Sequence, residues 1–252
     1  MILEPGKKIF FASDFHLGVP SEQASVEREK KIISWLNSIE KDAQEIYLIG
    51  DVFDFWFEYK KVIPKGFVRL QSKIAQLCDN GIKVHYFTGN HDMWVFEYFS
   101  KELGVKMHYK EIEIEINSKK FFIAHGDGLG PGDNGYKFIK KVFSNPVCKF
   151  LFRWIHPDLG IALADFWSGK SRSKNGPTDE IYLGKENEWL AIFCKEKLKE
   201  KYFNYFIFGH RHLVIDIEVG DNSRYINLGD WFKSCNYAIF DGENLILKEY
   251  II

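Results

Sequence analysis

Five short apolar runs, each ending abruptly on side chains of the kind that bind metals, limit what this chain can become. Ile9-Phe10-Phe11-Ala12 runs into Ser13-Asp14-Phe15-His16, and Ile46-Tyr47-Leu48-Ile49 into Gly50-Asp51. Val84-His85-Tyr86-Phe87 leads to Gly89-Asn90-His91-Asp92, Phe121-Phe122-Ile123-Ala124 to His125-Gly126-Asp127, and Tyr205-Phe206-Ile207-Phe208 to Gly209-His210-Arg211-His212. Short apolar runs bounded by Gly and polar residues read as buried strands. Glu22 to Ile39 carries helical spacing, as does the stretch through Phe67, Leu70, Ile74 and Leu77, which Asn80-Gly81 closes. The order is β-α-β-α-β. In open α/β sheets ligands bind outside the carboxyl ends of the strands, so clusters distant in sequence are expected to meet at one edge.

The pattern changes further on. Ile112, Ile114 and Ile116 alternate with Glu111, Glu113 and Glu115, as in a half-exposed strand. Residues 128–135 have linker composition. Tyr136 to Phe143 and Glu186 to Lys199 read as helices, separated by a polar gap from Ser168 to Thr178. Strands are then expected around Val214 to Val219, Arg224 to Asn227, Tyr237 to Phe240 and Leu245 to Ile251. The chain thus divides into a core of residues 1–133 and 201–252, interrupted by a helical cap at 134–200.

The clustered side chains are carboxylates, imidazoles and one amide, a mixed oxygen and nitrogen set suited to Mn²⁺, Fe²⁺ or Zn²⁺. No cysteine is among them, which argues against a purely structural zinc site. One D-x-H or one H-x-H arises easily by chance; five clusters, each directly after a strand, do not. Two metals about 3.5–4 Å apart can clamp the attacking and leaving oxygens of a phosphoryl displacement. Gly50, Gly89 and Gly209 are expected where the backbone turns sharply beside the ligands. Asp92 and Asp127 are expected to support loops, and His85, inside a strand, to be a satisfied core histidine. His108 and His156 fall outside the motifs.

The order D-x-H, G-D-x-x-D, G-N-H-D, H, G-H-x-H, running from residue 14 to 212, resembles the calcineurin-like metallophosphoesterase superfamily. The resemblance implies a four-layer α/β/β/α sandwich of two mixed sheets and a site with two divalent ions, Mn²⁺ foremost. Asp14, His16 and His212 would hold the first ion, Asn90, His125 and His210 the second, and Asp51 would bridge them. In that family a metal-bridging hydroxide attacks phosphorus. His91 would protonate the leaving oxygen or stabilise phosphoryl charge, and Asp54 would orient His91. The plainer alternatives are a supporting structural role for His91 and a loop-capping role for Asp54.

The cap points to the ester. From Asn134 to Gly176 there are eight positive residues and two negative ones, in a chain of formal net charge −1. Phe138, Phe143, Phe150, Phe152, Trp154, Phe166 and Trp167 lie in the same segment. Basic charge beside dense apolar surface suits an amphiphile with an anionic head; the plainer reading is a small helical core with a solvated basic face. Together with Asp14-Phe15-His16-Leu17-Gly18 and Gly50-Asp51-Val52-Phe53-Asp54-Phe55-Trp56, the cap resembles the UDP-2,3-diacylglucosamine pyrophosphatase branch, which acts in lipid A biosynthesis. That resemblance implies cleavage of a nucleotide-linked glycolipid to UMP and 2,3-diacylglucosamine 1-phosphate. Lys170, Arg172 and Lys174 are candidate substrate contacts. Many enzymes of the branch have Arg where this chain has His91. Competing readings are a phosphohydrolase of the same fold acting on a soluble nucleotide or phosphomonoester, and a non-enzymatic scaffold, which the filled ligand positions disfavour. The basic residues are interleaved with too many apolar ones for a nucleic-acid groove.

No stretch approaches the roughly 20 apolar residues that span a bilayer, and Met1 to Lys8 is too polar for a signal peptide. Cys78, Cys148, Cys194 and Cys235 are widely spaced and read as free thiols in a reducing compartment. The expected location is cytoplasmic, with peripheral contact at the inner face of the cytoplasmic membrane.

Overall fold

The central strands are apolar at nearly every position because each lies between two cores. In the computed structural model, which describes residues 1–132, 134–179 and 181–251 apart from the side chains of 165 and 170–179, the elements follow in chain order. They are β1 (Lys8–Ala12), α1 (Glu22–Ile39), β2 (Ala43–Ile49), α2 (Val68–Asp79), β3 (Lys83–Phe87), α3 (Tyr98–Leu103), β4 (Lys106–His108), β5 (Ile112–Ile116) and β6 (Lys119–Ile123). The helices α4 (Asn134–Ser144), α5 (Pro146–Arg153), α6 (Pro157–Asp179) and α7 (Trp189–Glu200) come next. The chain closes with β7 (Tyr205–Phe208), β8 (Val214–Gly220), β9 (Ser223–Leu228), β10 (Asn236–Phe240) and β11 (Leu245–Glu249).

Two sheets form, in the orders β11-β10-β1-β2-β3-β4 and β5-β6-β7-β9-β8. Both are mixed: β1 pairs parallel with β2 and antiparallel with β10, and β7 pairs parallel with β6 and β9 while β8 pairs antiparallel with β9. Successive side chains of a strand point to opposite faces, and the burial obeys this alternation. Phe10 and Ala12 of β1 enter a core shared with Ile32, Trp35 and Leu36 of α1 and Leu70, Ile74 and Leu77 of α2. Ile9 and Phe11 enter a second core with Phe121, Ile123, Ile207 and Ile226, between the sheets. Phe122, Phe206 and Phe208 enter a third, against Leu190, Ala191 and Cys194 of α7. The result is the four-layer α/β/β/α sandwich of two mixed sheets.

Two local expectations change. The polar stretch Ser168 to Thr178 is not a gap, because the α6 backbone continues to Asp179. Pro157 occupies the first helical position, where its missing N–H costs nothing, and adding residues to a formed helix is far easier than starting one. Secondly, α7 lies within the stretch 134–200 but packs on the second sheet, whereas α4 and α5 bury no residue fully. The four cysteines are free.

Candidate metal centre

Each site loop is fastened to the others by its backbone. The Asp14 N–H donates to the Gly50 carbonyl (3.1 Å), the His16 N–H to Asp51 (2.9 Å), and the Gly209 N–H to His125 (3.0 Å). The His210 N–H donates to the Asp14 carboxylate (3.0 Å), and the Trp231 N–H to the Asp14 carbonyl (3.2 Å). Asp92 gathers the remaining donors: the N–H groups of Val52 (2.9 Å) and Gly89 (2.7 Å) and the Tyr86 hydroxyl (2.5 Å). Asp92 is thus a loop support, as expected.

The seven sequence-derived ligand residues converge. Asp14, His16 and His212 offer atoms in one group, Asp51, His125 and His210 in another, and His16, Asp51 and His91 in a third between them, each group within 4.8 Å. In the first, His16 Nε2 faces His212 Nε2 at 3.1 Å, and Asp14 Oδ1 is 3.7 and 3.3 Å from them. In the second, Asn90 Oδ1 lies 2.9 Å from His210 Nδ1 and 3.2 Å from His125 Nε2. Asp51 Oδ2 is 3.6 Å from His16 Nε2 and 3.2 Å from His125 Nε2, so one oxygen faces both groups. Ring orientations are set from behind. His125 Nδ1–H donates to the Ile49 carbonyl (2.8 Å) and His16 Nδ1–H to Asp54 Oδ1 (3.2 Å), leaving Nε2 of both rings turned inward.

The strain sits on the candidate donor residues rather than on the glycines. Asp14, His16, Asp51, His210 and His212 all have positive φ, between 42° and 69°. Such backbone costs of order 1–3 kcal/mol per residue and persists where packing over-determines it. Of the three glycines expected at sharp turns, only Gly50 (φ 80°) has positive φ. Gly89 and Gly209 are required by close approach instead. A Cβ on Gly89 would run into the Asp51 carboxylate, and one on Gly209 into Ser13 and Asp14.

The electrostatics ask for cations. Burial works to raise Asp14 and Asp51, yet neighbouring imidazoles outweigh it and hold both carboxylates below the usual range. Burial disfavours charge on His16 and His125 too. Asp14 and Asp54 raise His16 to about 10, and Asp51 with Asp14 raises His125 to about 10. Histidines that would otherwise take up protons to balance buried carboxylates are placed to exchange them for metal. His210 is pushed down to about 4 by burial and by His125, and so offers a neutral imidazole. The donor set therefore fits two divalent ions.

His91 stands beside this set. Its backbone N–H donates to Asp51 Oδ1 (2.9 Å) and its Nδ1–H to the Asp54 carbonyl (3.0 Å). The Asp54 carboxylate accepts from His16 and from the Ser168 hydroxyl of α6 (2.8 Å), which also lies 3.3 Å from His91 Nδ1. Asp54 therefore holds the His16 ring through its carboxylate and His91 through its backbone carbonyl. The side chains of Lys170, Arg172 and Lys174 lie outside the described residues. His85 is a buried strand residue, as expected, 3.2 Å from Glu45 and 2.9 Å from His108.

Three positioning residues escaped the motif reading. Arg28 donates to the carbonyls of Phe15 (3.1 Å), His16 (2.8 Å) and Val19 (3.0 Å). A signal existed: Arg28 precedes Ile32 by four residues and so lies on the buried stripe of α1. Ser168 had none. Arg211, between the two histidines, is fully buried and forked onto Glu188 (2.8 and 3.1 Å). Leaving one partner of a buried pair uncompensated costs roughly 3–5 kcal/mol. Glu188→Ala is expected to lower unfolding free energy in urea by about that amount; a loss below about 1 kcal/mol would show the pair to be dispensable.

No protein-family model matches the chain. It is 38% identical to the UDP-2,3-diacylglucosamine hydrolase of Porphyromonas gingivalis, over 96% of this chain and 97% of that protein. It is 27% identical to the enzyme of the same name from Haemophilus influenzae, over 92% and 93%. Among solved structures, a dimetal phosphatase from Danio rerio aligns with a TM-score of 0.46 at 11% identity, over 98% of this chain and 96% of that one. The sandwich and its imidazole–carboxylate centre define a metallophosphoesterase, an enzyme that uses divalent metal to hydrolyse phosphoesters. Within that class, the chain belongs to the UDP-2,3-diacylglucosamine hydrolase family.

Proposed function

We propose that this enzyme hydrolyses the pyrophosphate of UDP-2,3-diacylglucosamine, giving UMP and 2,3-diacylglucosamine 1-phosphate. The observation that carries the reading is the convergence of seven donors from five loops, in a chain 38% identical to a hydrolase of that name along nearly its whole length. Asp14, His16 and His212 would hold one ion, Asn90, His125 and His210 the other, and Asp51 would be shared by both. Mn²⁺ suits this oxygen and nitrogen set. When bound, the ions supply positive charge to the phosphoryl oxygens and lower the pKa of water to about 7.

The protein's own groups do the rest. His91, with Nδ1–H fixed on the Asp54 carbonyl, presents Nε2 towards a bound phosphoryl group. Burial lowers this imidazole; phosphate charge beside it restores the proton that protonates the leaving oxygen. Asp54 and Ser168 hold the ring in place.

The helices α4 to α6 form the cap, and residues 1–133 and 201–252, together with α7, form the core. Phe152 of α5 packs on Phe57 (4.7 Å) and Trp94 (5.1 Å), continuing an aromatic surface from the His91 side of the centre into the cap. This surface receives the acyl chains, and Lys170, Arg172 and Lys174 supply charge for the head group. Phe150, Leu151, Trp154 and Phe166 remain exposed on the cap and favour peripheral contact with the inner face of the cytoplasmic membrane. No helix among the described residues is long and apolar enough to cross a membrane. Purified protein with Mn²⁺ is expected to release UMP from UDP-2,3-diacylglucosamine, followed by chromatography. Hydrolysis of soluble phosphoesters alone would overturn the lipid reading.

A further inference from the structure

The two sides of the centre differ in chemistry. On the side of His91 and Asp54 stand α6 and the aromatic group of Trp94, Phe143, Phe152 and Trp167. A cavity of about 560 Å³ opens from His125 and Gly89, where the apolar Phe87, Met93 and Leu129 line it together with Tyr109, Lys110, Glu111 and Lys149. It falls within the usual range for a small-molecule site, about 300–1,000 Å³. Trp94, next in sequence to the lining residue Met93, ties its indole N–H to the Phe143 carbonyl (3.0 Å) at the end of α4.

The lining groups are not equivalent. Lys140 also reaches this cavity but is committed to Asp127 at 2.6 Å. Lys149, from α5, sits 5.2 Å from the Phe96 ring, and burial lowers its ammonium from the ordinary lysine value. A partly desolvated ammonium gains more from an anion than a solvated one. Tyr109 offers an exposed ring whose hydroxyl is anchored on the Phe96 carbonyl. Aromatic faces of this kind stack nucleobases. The Glu111 carboxylate can accept from ribose hydroxyls, a recurring use of acidic side chains at nucleotide sites.

We infer that this cavity is a nucleoside monophosphate site, in which Lys149 and Lys110 meet the phosphate, Glu111 the ribose and Tyr109 the base. The inference rests on the proposed substrate and adds the direction in which it lies: nucleoside on the His125 side, acyl chains on the His91 side. A pyrophosphate whose two ends differ in polarity then fits across the centre in one orientation.

The test is calorimetric binding of UMP and of inorganic phosphate to the metal-loaded protein. Lys149→Gln is expected to weaken UMP about tenfold or more, the effect of losing one charge-assisted hydrogen bond. Tyr109→Ala is expected to weaken UMP roughly fivefold or more while leaving inorganic phosphate unchanged. Unchanged melting temperature and metal content serve as controls of folding. UMP affinity unmoved by both variants, or UMP and phosphate weakened equally by Tyr109→Ala, overturns the assignment. If the wild type hydrolyses no UDP-linked lipid yet binds UMP in a Tyr109-dependent way, the substrate reading fails and the nucleotide site stands. If the lipid is hydrolysed and UMP ignores both variants, the site alone fails.

Discussion

Asp51→Ala is expected to reduce kcat/KM by about 10³-fold or more at any concentration of Mn²⁺. Among the described residues, Asp51 Oδ2 is the oxygen that lies within reach of both donor groups, 3.6 Å from His16 and 3.2 Å from His125. Its other oxygen receives the His91 backbone N–H. Alanine therefore removes the shared negative charge and releases the loop that carries Asn90 and His91. Metal content measured by plasma emission is expected to fall with activity. Turnover above about a tenth of wild type, with two ions still bound, would sink the bridging assignment.

His91→Ala is expected to behave differently. The contact to Asp51 is made by the backbone, so alanine keeps it, and the groups Asp14-His16-His212 and Asp51-His125-His210 both form without the His91 ring. Metal content is expected to stay at the wild-type level. The chemical step, measured under single-turnover conditions, is expected to slow about 10²–10⁴-fold, the usual range for loss of a positioned general acid. Loss of metal instead would make His91 a structural residue of the loop. The structure also gives Asp54 two tasks: its carboxylate accepts from His16 and its backbone carbonyl from His91. Asp54→Ala is expected to reduce metal binding through the loosened His16 ring, while the carbonyl contact to His91 is kept.

Much of this was legible because its causes are local. A strand buried on both faces must be apolar at consecutive positions, so β1, β2, β3, β6 and β7 announce themselves, and the loops at their carboxyl ends carry the site. The Asn80-Gly81 stop after α2 is equally local, with Gly81 at φ 85°. The polar second half of α6 was illegible because composition there resembles a loop and only the preceding turns nucleate the helix. The packing of α7 was illegible because this helix looks, in sequence, like any other. Its place is decided by the hydrophobic face of the second sheet, whose strands come from both before and after it.

The chemistry is written in the chain: which donors exist, that each comes directly after a strand, and that their set suits two divalent ions and a phosphoester. How those donors act depends on folding. The folded chain makes Gly89 and Gly209 points of close contact rather than bends, and places the backbone strain on Asp14, His16, Asp51, His210 and His212. It sets Ser168 against Asp54. The difference is one of range. Apolar periodicity and turn preference act over a few residues and can be read along the chain. The geometry of the centre depends on contacts between residues far apart in sequence, made only when both sheets have closed on their shared core.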